Sequence, residues 1–256
     1  MPIASLDRTV IRLSGDGVVA WLEGLITNDL SAPLTFAALL TPQGKIIADF
    51  FVAKHGDELL LDTPTKFAAD LQKRLRMYRL RAPIEIEETD LNVFALWDGD
   101  GNEGLVDPRH ASLGRRLIAK DYLDGDGDYN AHRLSLGVVD STWDFESQTT
   151  FPADANMDLM HGVNFSKGCF VGQEVVSRMK RMTTVKKRMR GLILNGAAKA
   201  GDRIFCAERV VGDVVSVHGQ MGMGLIRLDR WKAAAVEPTI NDVIVKIMES
   251  IDGNSA

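Results

Sequence analysis

The hydrophobic pattern of the chain changes near residue 190, and this change limits the folds that the chain can adopt. From Gly191 onward, apolar residues come in short alternating runs with glycines between them, as at 192–194, 210–211 and 214–217. Such runs are typical of a small antiparallel barrel or sandwich. Before this point helical and strand patterns are mixed. We therefore place a domain boundary near residues 186–191.

Helices and strands are both predicted in the part of the chain before this boundary. Ser14 is a candidate N-cap for a helix whose apolar residues recur with helical period. Two apolar runs flank His55-Gly56-Asp57, which predicts a β-hairpin. Residues 138–166 are polar with weak periodicity, and we expect them to cross the surface as an extended connection. The predicted elements are a helix at 16–27, hairpin strands at 46–52 and 58–62, a helix after Thr63-Pro64 with Phe67, Leu71, Leu75 and Tyr78 on one face, strands at 84–88 and 91–97, and a helix at 129–136.

Charge is distributed unevenly along the chain. The 256 residues carry a net charge of -5 with 45% hydrophobic and 25% charged residues, which is ordinary for a soluble globular protein. Residues 167–190, however, contain eight basic residues and one acidic residue, so this segment is +7 and the rest is -12. Such a segment attracts anions, although a solvated surface face has the same pattern. The basic residues are Lys167, Arg178, Lys180, Arg181, Lys186, Lys187, Arg188 and Arg190.

Cysteine and histidine usage excludes several classes of site. Two cysteines, Cys169 and Cys206, are too few for a disulfide framework, and no C-x-x-C pair is present to hold a metal within the chain. The five histidines lie on separate segments without an i,i+4 pair. No run of eighteen apolar residues and no signal-peptide pattern occurs. We expect no membrane span and a reduced, cytoplasmic compartment.

One octet has a composition that suggests chemistry: Lys167-Gly168-Cys169-Phe170-Val171-Gly172-Gln173-Glu174. Two glycines flank a cysteine in a turn, and a helical pattern begins at Gln173. A neighbouring lysine and a helix N-terminus favour a thiolate, which would make Cys169 a reactive or metal-ligating thiol. A buried cysteine packed beside Phe170 is an equally good interpretation.

The octet resembles the K-G-C-[FY]-x-G-Q-E signature of the YgfZ family of folate-binding iron–sulfur maturation factors. The signature residues are Lys167, Gly168, Cys169, Gly172, Gln173, Glu174 and Arg178. Segments 25–29, 39–50, 78–81 and 185–189 are also similar to family segments, whereas Met182-Thr183-Thr184 departs from the expected glycine-containing turn. The resemblance implies the fold of the glycine cleavage aminomethyltransferase, or T-protein. That fold is α+β, with two intertwined folate-binding subdomains over 1–188 and a C-terminal antiparallel β-barrel over 189–256.

The resemblance also implies candidate folate-binding residues. In aminomethyltransferases an acidic pair lies near the reacting folate nitrogen, and the matching positions are Ala48 and Asp49, so only Asp49 remains. The glutamate that holds the pterin ring is replaced by Ser135, which cannot make the same bidentate contact. The remaining candidates are Tyr129 for ring stacking, Arg133 for the glutamate tail, and Asn28, Asp29 and Gln43 near the pocket. An ordinary half-buried helix tyrosine is an equally good interpretation of Tyr129.

Three functions follow as hypotheses. The first is a bacterial cytoplasmic, tetrahydrofolate-binding accessory factor for assembling or repairing iron–sulfur proteins. In it, Cys169 shares a [2Fe-2S] or [4Fe-4S] cluster with an A-type carrier on the way to apo-proteins, because one cysteine cannot hold a cluster alone. The second is an aminomethyltransferase-like one-carbon enzyme with Asp49 and Cys169 as catalytic candidates. The third is a tRNA-modification-associated, RNA-binding protein, suggested by the basic segment and by a basic face at 66–79.

Overall fold

The computed structural model describes residues 1–99, 101–182, 185–234 and 236–248. Part of the divergent turn, Thr183 and Thr184, therefore lies outside the described residues. The strands are β1 (Ile3–Ser5), β2 (Arg8–Ser14), β3 (Leu34–Leu40), β4 (Ile46–His55), β5 (Glu58–Pro64), β6 (Glu85–Glu88), β7 (Asn92–Leu96), β8 (Leu105–Val106), β9 (Arg115–Ala119), β10 (Lys187–Leu194), β11 (Arg203–Cys206), β12 (Arg209–His218), β13 (Met221–Arg227), β14 (Thr239–Ile240) and β15 (Val243–Ile247). The helices are α1 (Val18–Glu23), α2 (Thr65–Arg79), α3 (Tyr129–Ser135), α4 (Ser141–Asp144), α5 (Gln173–Met182) and α6 (Leu228–Lys232), with a 3₁₀ turn at Ala111–Leu113.

Three antiparallel layers organise these elements. A five-stranded sheet has the order β3-β4-β5-β2-β6, and a four-stranded sheet has the order β1-β7-β9-β8. The last six strands close into a barrel with the order β10-β13-β12-β11-β14-β15. The expected α+β fold with a C-terminal barrel is confirmed. Among the described residues, no helix is both long and apolar enough to cross a membrane.

Most of the predicted elements are present with small shifts. The hairpin β4–β5 turns at Gly56, which has φ of 61°, a left-handed conformation that glycine adopts without strain. The helix α2 buries Phe67, Leu71 and Leu75, as its period predicts. The first helix is shorter than expected, because Ser14 belongs to β2 and Gly17 precedes the first helical residue without a side-chain cap.

The expectation of a surface connection over 138–166 is wrong. This segment contains α4 and many buried residues, including the polar Asp140, Asp144 and Asn156. These polar groups are buried because each has partners: Asp144 binds Arg133, and Asn156 donates to the backbone oxygen of Met189. The segment thus lies between the sheets and the barrel. It is polar because its buried polar side chains form ion pairs and hydrogen bonds inside the protein.

The barrel contacts the rest of the chain through polar groups as well as apolar packing. Ser216 on β12 donates to Asp144 over 2.6 Å, and His218 lies 2.6 Å from Asp128, the N-cap of α3. Met189 and Met223 belong to the barrel strands but pack into the core of the first part. The segment 167–182, which leads into β10, therefore lies close to the junction between the two parts.

Candidate functional site

The signature octet forms a loop that is tied down at its beginning by Lys167. The ammonium of Lys167 donates to the backbone oxygens of Glu23 and Ile26, at 2.5 and 2.8 Å, where α1 ends. Desolvation lowers the pKa of Lys167, although the nearby acids Glu23 and Asp29 oppose this effect. Carbonyls at a helix C-terminus lack intrahelical donors, so this lysine satisfies the last one of α1, at Glu23, and one in the segment that follows, at Ile26. Its ammonium is bound to α1 rather than to the thiol of Cys169.

The end of the loop rests on the turn between β3 and β4. Gly172 has φ of 80°, and a Cβ atom at this position would lie 2.6 Å from the backbone oxygen of Thr41 and 3.2 Å from the Cα of Gly44. Gly44 in turn has φ of 79°, and its own Cβ would lie 3.1 Å from Val175 on α5. Both positions have the positive φ that favours glycine, and at Gly172 the close approach of the Thr41 backbone also excludes a side chain. The structure therefore brings the octet and the 39–50 segment into direct contact.

Between these two attachments, Cys169 is exposed to solvent. Phe170 is buried instead, at 8% exposure, so the interpretation of Cys169 as a packed core cysteine is wrong. The other cysteine, Cys206 on β11, is buried, and burial raises the pKa of its thiol. Among the described residues no group of three or more His, Cys, Asp or Glu could hold a metal ion. Cys169 is therefore an accessible thiol that needs ligands from elsewhere to hold metal.

Two cavities lie beside the octet and α5. One has a volume of about 280 Å³ and is lined mainly by apolar side chains, including Val163, Phe165 and Met179. The other, of about 390 Å³, is polar and contains Asn28 and Asp29. Val163, Phe165 and Lys180 line both, and the ammonium of Lys180 lies 3.6 Å from the centre of the Phe165 ring.

Asn28 and Asp29 line a pocket, as expected, but both side chains are hydrogen-bonded to neighbouring groups of the protein. Asn28 donates to the backbone oxygens of Phe36 and His161, at 3.0 and 2.7 Å. Hydrogen bonds from Ser31 and Asn164 lower the pKa of Asp29 from 3.8 to about 2. The pair therefore organises the pocket wall and leaves Asp29 ionised at neutral pH.

Asp49 lies away from these cavities, inside the five-stranded sheet. Its side chain is 5% exposed and accepts a hydrogen bond from Ser141 of α4. Burial raises the pKa of Asp49, against the opposing effect of Arg8. Asp49, predicted as a folate-side catalytic carboxylate, thus contacts Ser141 and does not line the pocket that contains Asn28 and Asp29.

The surroundings of Asp49 are a buried ionic network that the sequence did not predict. Arg8 and Arg116 both donate to Asp62, and three guanidinium groups lie over the ring of Phe51 at 3.9 to 5.4 Å. Each buried charge has an opposite partner, as burial demands. The network consists of Arg8, Arg109, Arg116, Asp62, Asp107 and Asp140.

Tyr129 and Arg133 are also internal, which corrects their predicted roles. Tyr129 is 4% exposed; its hydroxyl accepts a hydrogen bond from Arg109, and its ring packs between Trp97 and Trp143. Arg133 is fully buried in an ion pair with Asp144, so it cannot reach a folate tail. The interpretation of Tyr129 as a buried helix residue is the one the structure supports.

These positions test whether tetrahydrofolate fits the predicted residues. Asp49, Tyr129 and Arg133 are buried and saturated by protein partners, and Gln43 is exposed on the β3–β4 turn. The structure brings Asn28 and Asp29 to one pocket but does not bring the other four to it. This residue set does not form one folate site, and no chemical step is assigned to folate.

Several residues of the site carried no recognisable signal. Asn164, His161 and Lys180 join the pocket only because distant segments meet there. The acceptors of Lys167 are backbone oxygens, which have no sequence signature.

The two sheets and the terminal barrel together define the class of fold. The crystal structure of the glycine cleavage system aminomethyltransferase T from Bartonella henselae aligns with a TM-score of 0.77, covering 97% of this chain and 84% of that chain at 16% identity. At this identity the likeness establishes the fold alone. The chain therefore has the aminomethyltransferase-like fold that was predicted.

The amino-acid sequence is similar to a barrel-domain family and to iron–sulfur cluster assembly factors. Residues 180–249 match the family model "CAF17, C-terminal beta-barrel domain". The chain is 32% identical over 218 residues to the mitochondrial iron-sulfur cluster assembly factor IBA57 homolog of Mycosarcoma maydis, covering 71% of this chain and 54% of that protein. It is 27% identical to the human mitochondrial iron-sulfur cluster assembly factor IBA57, covering 88% and 77%.

These relatives bear on two sequence expectations. The resemblance to iron–sulfur maturation factors is supported at the level of iron–sulfur cluster assembly, with relatives named IBA57. The predicted bacterial cytoplasmic location is wrong, because the matching relatives are named as mitochondrial proteins. The chain spans 54% of the length of two fungal relatives, from Mycosarcoma maydis and Neurospora crassa, so their whole activity does not transfer directly.

Proposed function

We propose that this chain is an iron–sulfur cluster assembly factor of the IBA57 type and that Cys169 is its cluster ligand. The observation that carries the proposal is the placement of Cys169. It is exposed on a loop whose two ends are fixed, by Lys167 to α1 and by Gly172 to the β3–β4 turn. Because both ends of the loop are fixed, little conformational entropy is lost when Cys169 binds a ligand shared with a partner.

The proposed reaction is a ligand exchange in which the cluster is the cargo. A cluster needs four protein ligands, and the described part of this chain offers one accessible thiol. The other ligands therefore come from a partner with its own cysteines, for which an A-type carrier is the candidate, and apo-proteins receive the cluster. The thiol of Cys169 gives up its proton when sulfur binds iron, and no electron transfer is required.

Anaerobic cluster reconstitution with an A-type carrier tests this proposal. Cys169→Ala is expected to abolish the visible absorption and circular dichroism of a cluster shared between the two proteins. Cys206→Ala removes the buried thiol and is the matched control, expected to retain the shared cluster. A shared cluster formed equally well by Cys169→Ala would refute the ligand role.

The other hypotheses receive less support from the geometry. One-carbon transfer through Asp49 would require the carboxyl to reach a ligand, and it is 5% exposed and bonded to Ser141. The basic face of α2 is partly engaged in the protein itself, since Lys66 binds Glu146 and Arg76 binds Gln72. We therefore propose neither one-carbon transfer nor RNA binding for this chain.

A further inference from the structure

Some cations of the basic segment 167–190 bind other groups of the protein, and others are exposed to solvent. Lys167 binds the end of α1, and Arg188 forms a two-pronged ion pair with Asp158 at 2.7 Å for both contacts. Arg190 is buried, with interactions of its own. Lys180 lies over Phe165. The exposed remainder consists of Arg178, Arg181, Lys186 and Lys187.

The exposed cations adjoin the apolar cavity under α5. Met179 and Lys180 line the cavity, while Arg178 and Arg181 flank them on the outer face of the same helix. The carboxylate of Asp158 at the cavity wall is neutralised by Arg188, so Lys180 leaves the rim positive. The cavity walls are the apolar side chains Pro152, Val163, Phe165, Val176, Met179 and Val185.

We propose that this cavity is the anchor site for an acidic partner protein: a large apolar side chain of the partner enters it, and carboxylates beside that side chain pair with Lys180, Arg178 and Arg181. Protein interfaces gain most of their affinity from a few apolar anchors in pockets ringed by polar groups. The inference rests on the proposed function, because it names the surface that brings a carrier to Cys169.

Cavity size and charge favour a protein side chain over a small cofactor. A volume of about 280 Å³ is at the lower end of what small-molecule sites show and is large enough for one large side chain. Arg178 and Arg181 are exposed and do not line the cavity, so they are available to a partner that is larger than the group inside it. Phe165 and Val176, which form its wall, lie four and seven residues from Cys169 in the sequence, so we expect an anchored partner to lie on the same side of the molecule as the octet loop.

Binding of an apo A-type carrier to the full chain, measured by titration calorimetry, tests the anchor site. A Cys169→Ala background removes cluster bridging, so docking is measured separately from ligation. Filling the cavity with Met179→Trp is expected to weaken binding at least tenfold. Arg178→Glu/Arg181→Glu, on the exposed face, is expected to weaken it by a similar factor and to reduce its salt dependence. Lys73→Glu/Arg81→Glu, the charge-matched control on the α2 side, should change affinity less than twofold.

The outcomes separate this inference from the proposed function. Unchanged affinity of both Met179→Trp and Arg178→Glu/Arg181→Glu would overturn the anchor site, even if Cys169 still shares a cluster. Loss of the shared cluster in Cys169→Ala with full docking would support both. Loss of tetrahydrofolate binding in Met179→Trp, with carrier affinity unchanged, would identify the cavity as a cofactor site and refute the anchor. Thermal unfolding of each variant verifies that the fold is intact.

Discussion

The two cysteines of this chain differ because their surroundings differ. Cys169 is exposed on the octet loop, whereas Cys206 is 4% exposed inside the barrel, where burial raises the pKa of its thiol. Thiolate is the reactive form, so both access and ionisation disfavour Cys206.

Alkylation should therefore be selective. Under native conditions with a limiting amount of iodoacetamide, Cys169 is expected to be modified at least about tenfold faster than Cys206. Peptide mass spectrometry over a time course gives both rates in one sample. After unfolding in urea the two rates should converge, and equal native rates would contradict the exposure difference.

Asp49 and Asp62 are buried carboxylates with opposite roles. Asp62 is the nearest counter-charge of both Arg8 and Arg116. Asp62→Asn leaves Arg8 with a 4.0 Å contact to Asp140 and Arg116 with a 3.4 Å contact to Asp107, and it should cost about 3–5 kcal/mol of unfolding free energy. Asp49 accepts from Ser141, and burial raises its pKa. A raised pKa means that its favourable contribution is present at acidic pH and is lost as pH rises through the folded pKa.

Asp49→Asn is therefore expected to gain stability relative to wild type as the pH is raised above about 4, where the unfolded carboxyl ionises. Urea denaturation of wild type, Asp49→Asn and Asp62→Asn at several pH values measures these effects. A growing loss of stability for Asp49→Asn with rising pH would show that its carboxylate is a required charge of the network.

At the scale of elements, the octet loop is fixed by contacts to two different elements. Lys167 binds the last carbonyl of α1 and that of Ile26 just beyond it. Gly172 packs on the β3–β4 turn, where Gly44 makes room for Val175. The octet glycines are therefore not equivalent: a Cβ at Gly168 would meet nothing within 4 Å.

This difference provides a matched pair of substitutions. Gly172→Ala should cost about 1–3 kcal/mol, because alanine at positive φ is strained and its Cβ would contact Thr41. Gly168→Ala should change stability by less than about 0.5 kcal/mol. Denaturation gives the stabilities, and limited proteolysis near residue 170 reports whether the loop has left the turn. Equal effects of the two substitutions would rule out the Gly172 contact as the fixed point.

At the scale of the whole molecule, local patterns predicted most elements but not the interior polar contacts. The β4–β5 hairpin, α2 and the barrel follow from periodicity and glycine placement, which are local properties. The pairing of Arg8 with Asp62 joins residues 54 positions apart, and burial of Tyr129 depends on Arg109 and two tryptophans. The glycine-flanked turn left Cys169 open between a reactive thiol and a buried one, and the burial of Asp49 had no local signal, because burial is set by the complete fold.

The same polar interior joins the barrel to the sheets. Asp144 accepts from Ser216 of the barrel and from Arg133, and it is fully buried. The second link, between His218 and Asp128, is largely exposed. A hydrogen bond to a buried charge contributes about 1.5–3 kcal/mol, whereas an exposed ion pair contributes at most about 1 kcal/mol.

Ser216→Ala is therefore expected to lower the unfolding free energy by about 1.5–3 kcal/mol. His218→Ala is expected to lower it by less than about 1 kcal/mol, because its contact with Asp128 is exposed. Urea denaturation followed by tryptophan fluorescence measures both, because Trp143 lies beside Arg133 at this junction. Because Ser216 holds the barrel to the sheets, its loss should also separate the unfolding of the two parts. A single transition with an equal loss in both variants would place the stabilising contact at the exposed rim and not at Asp144.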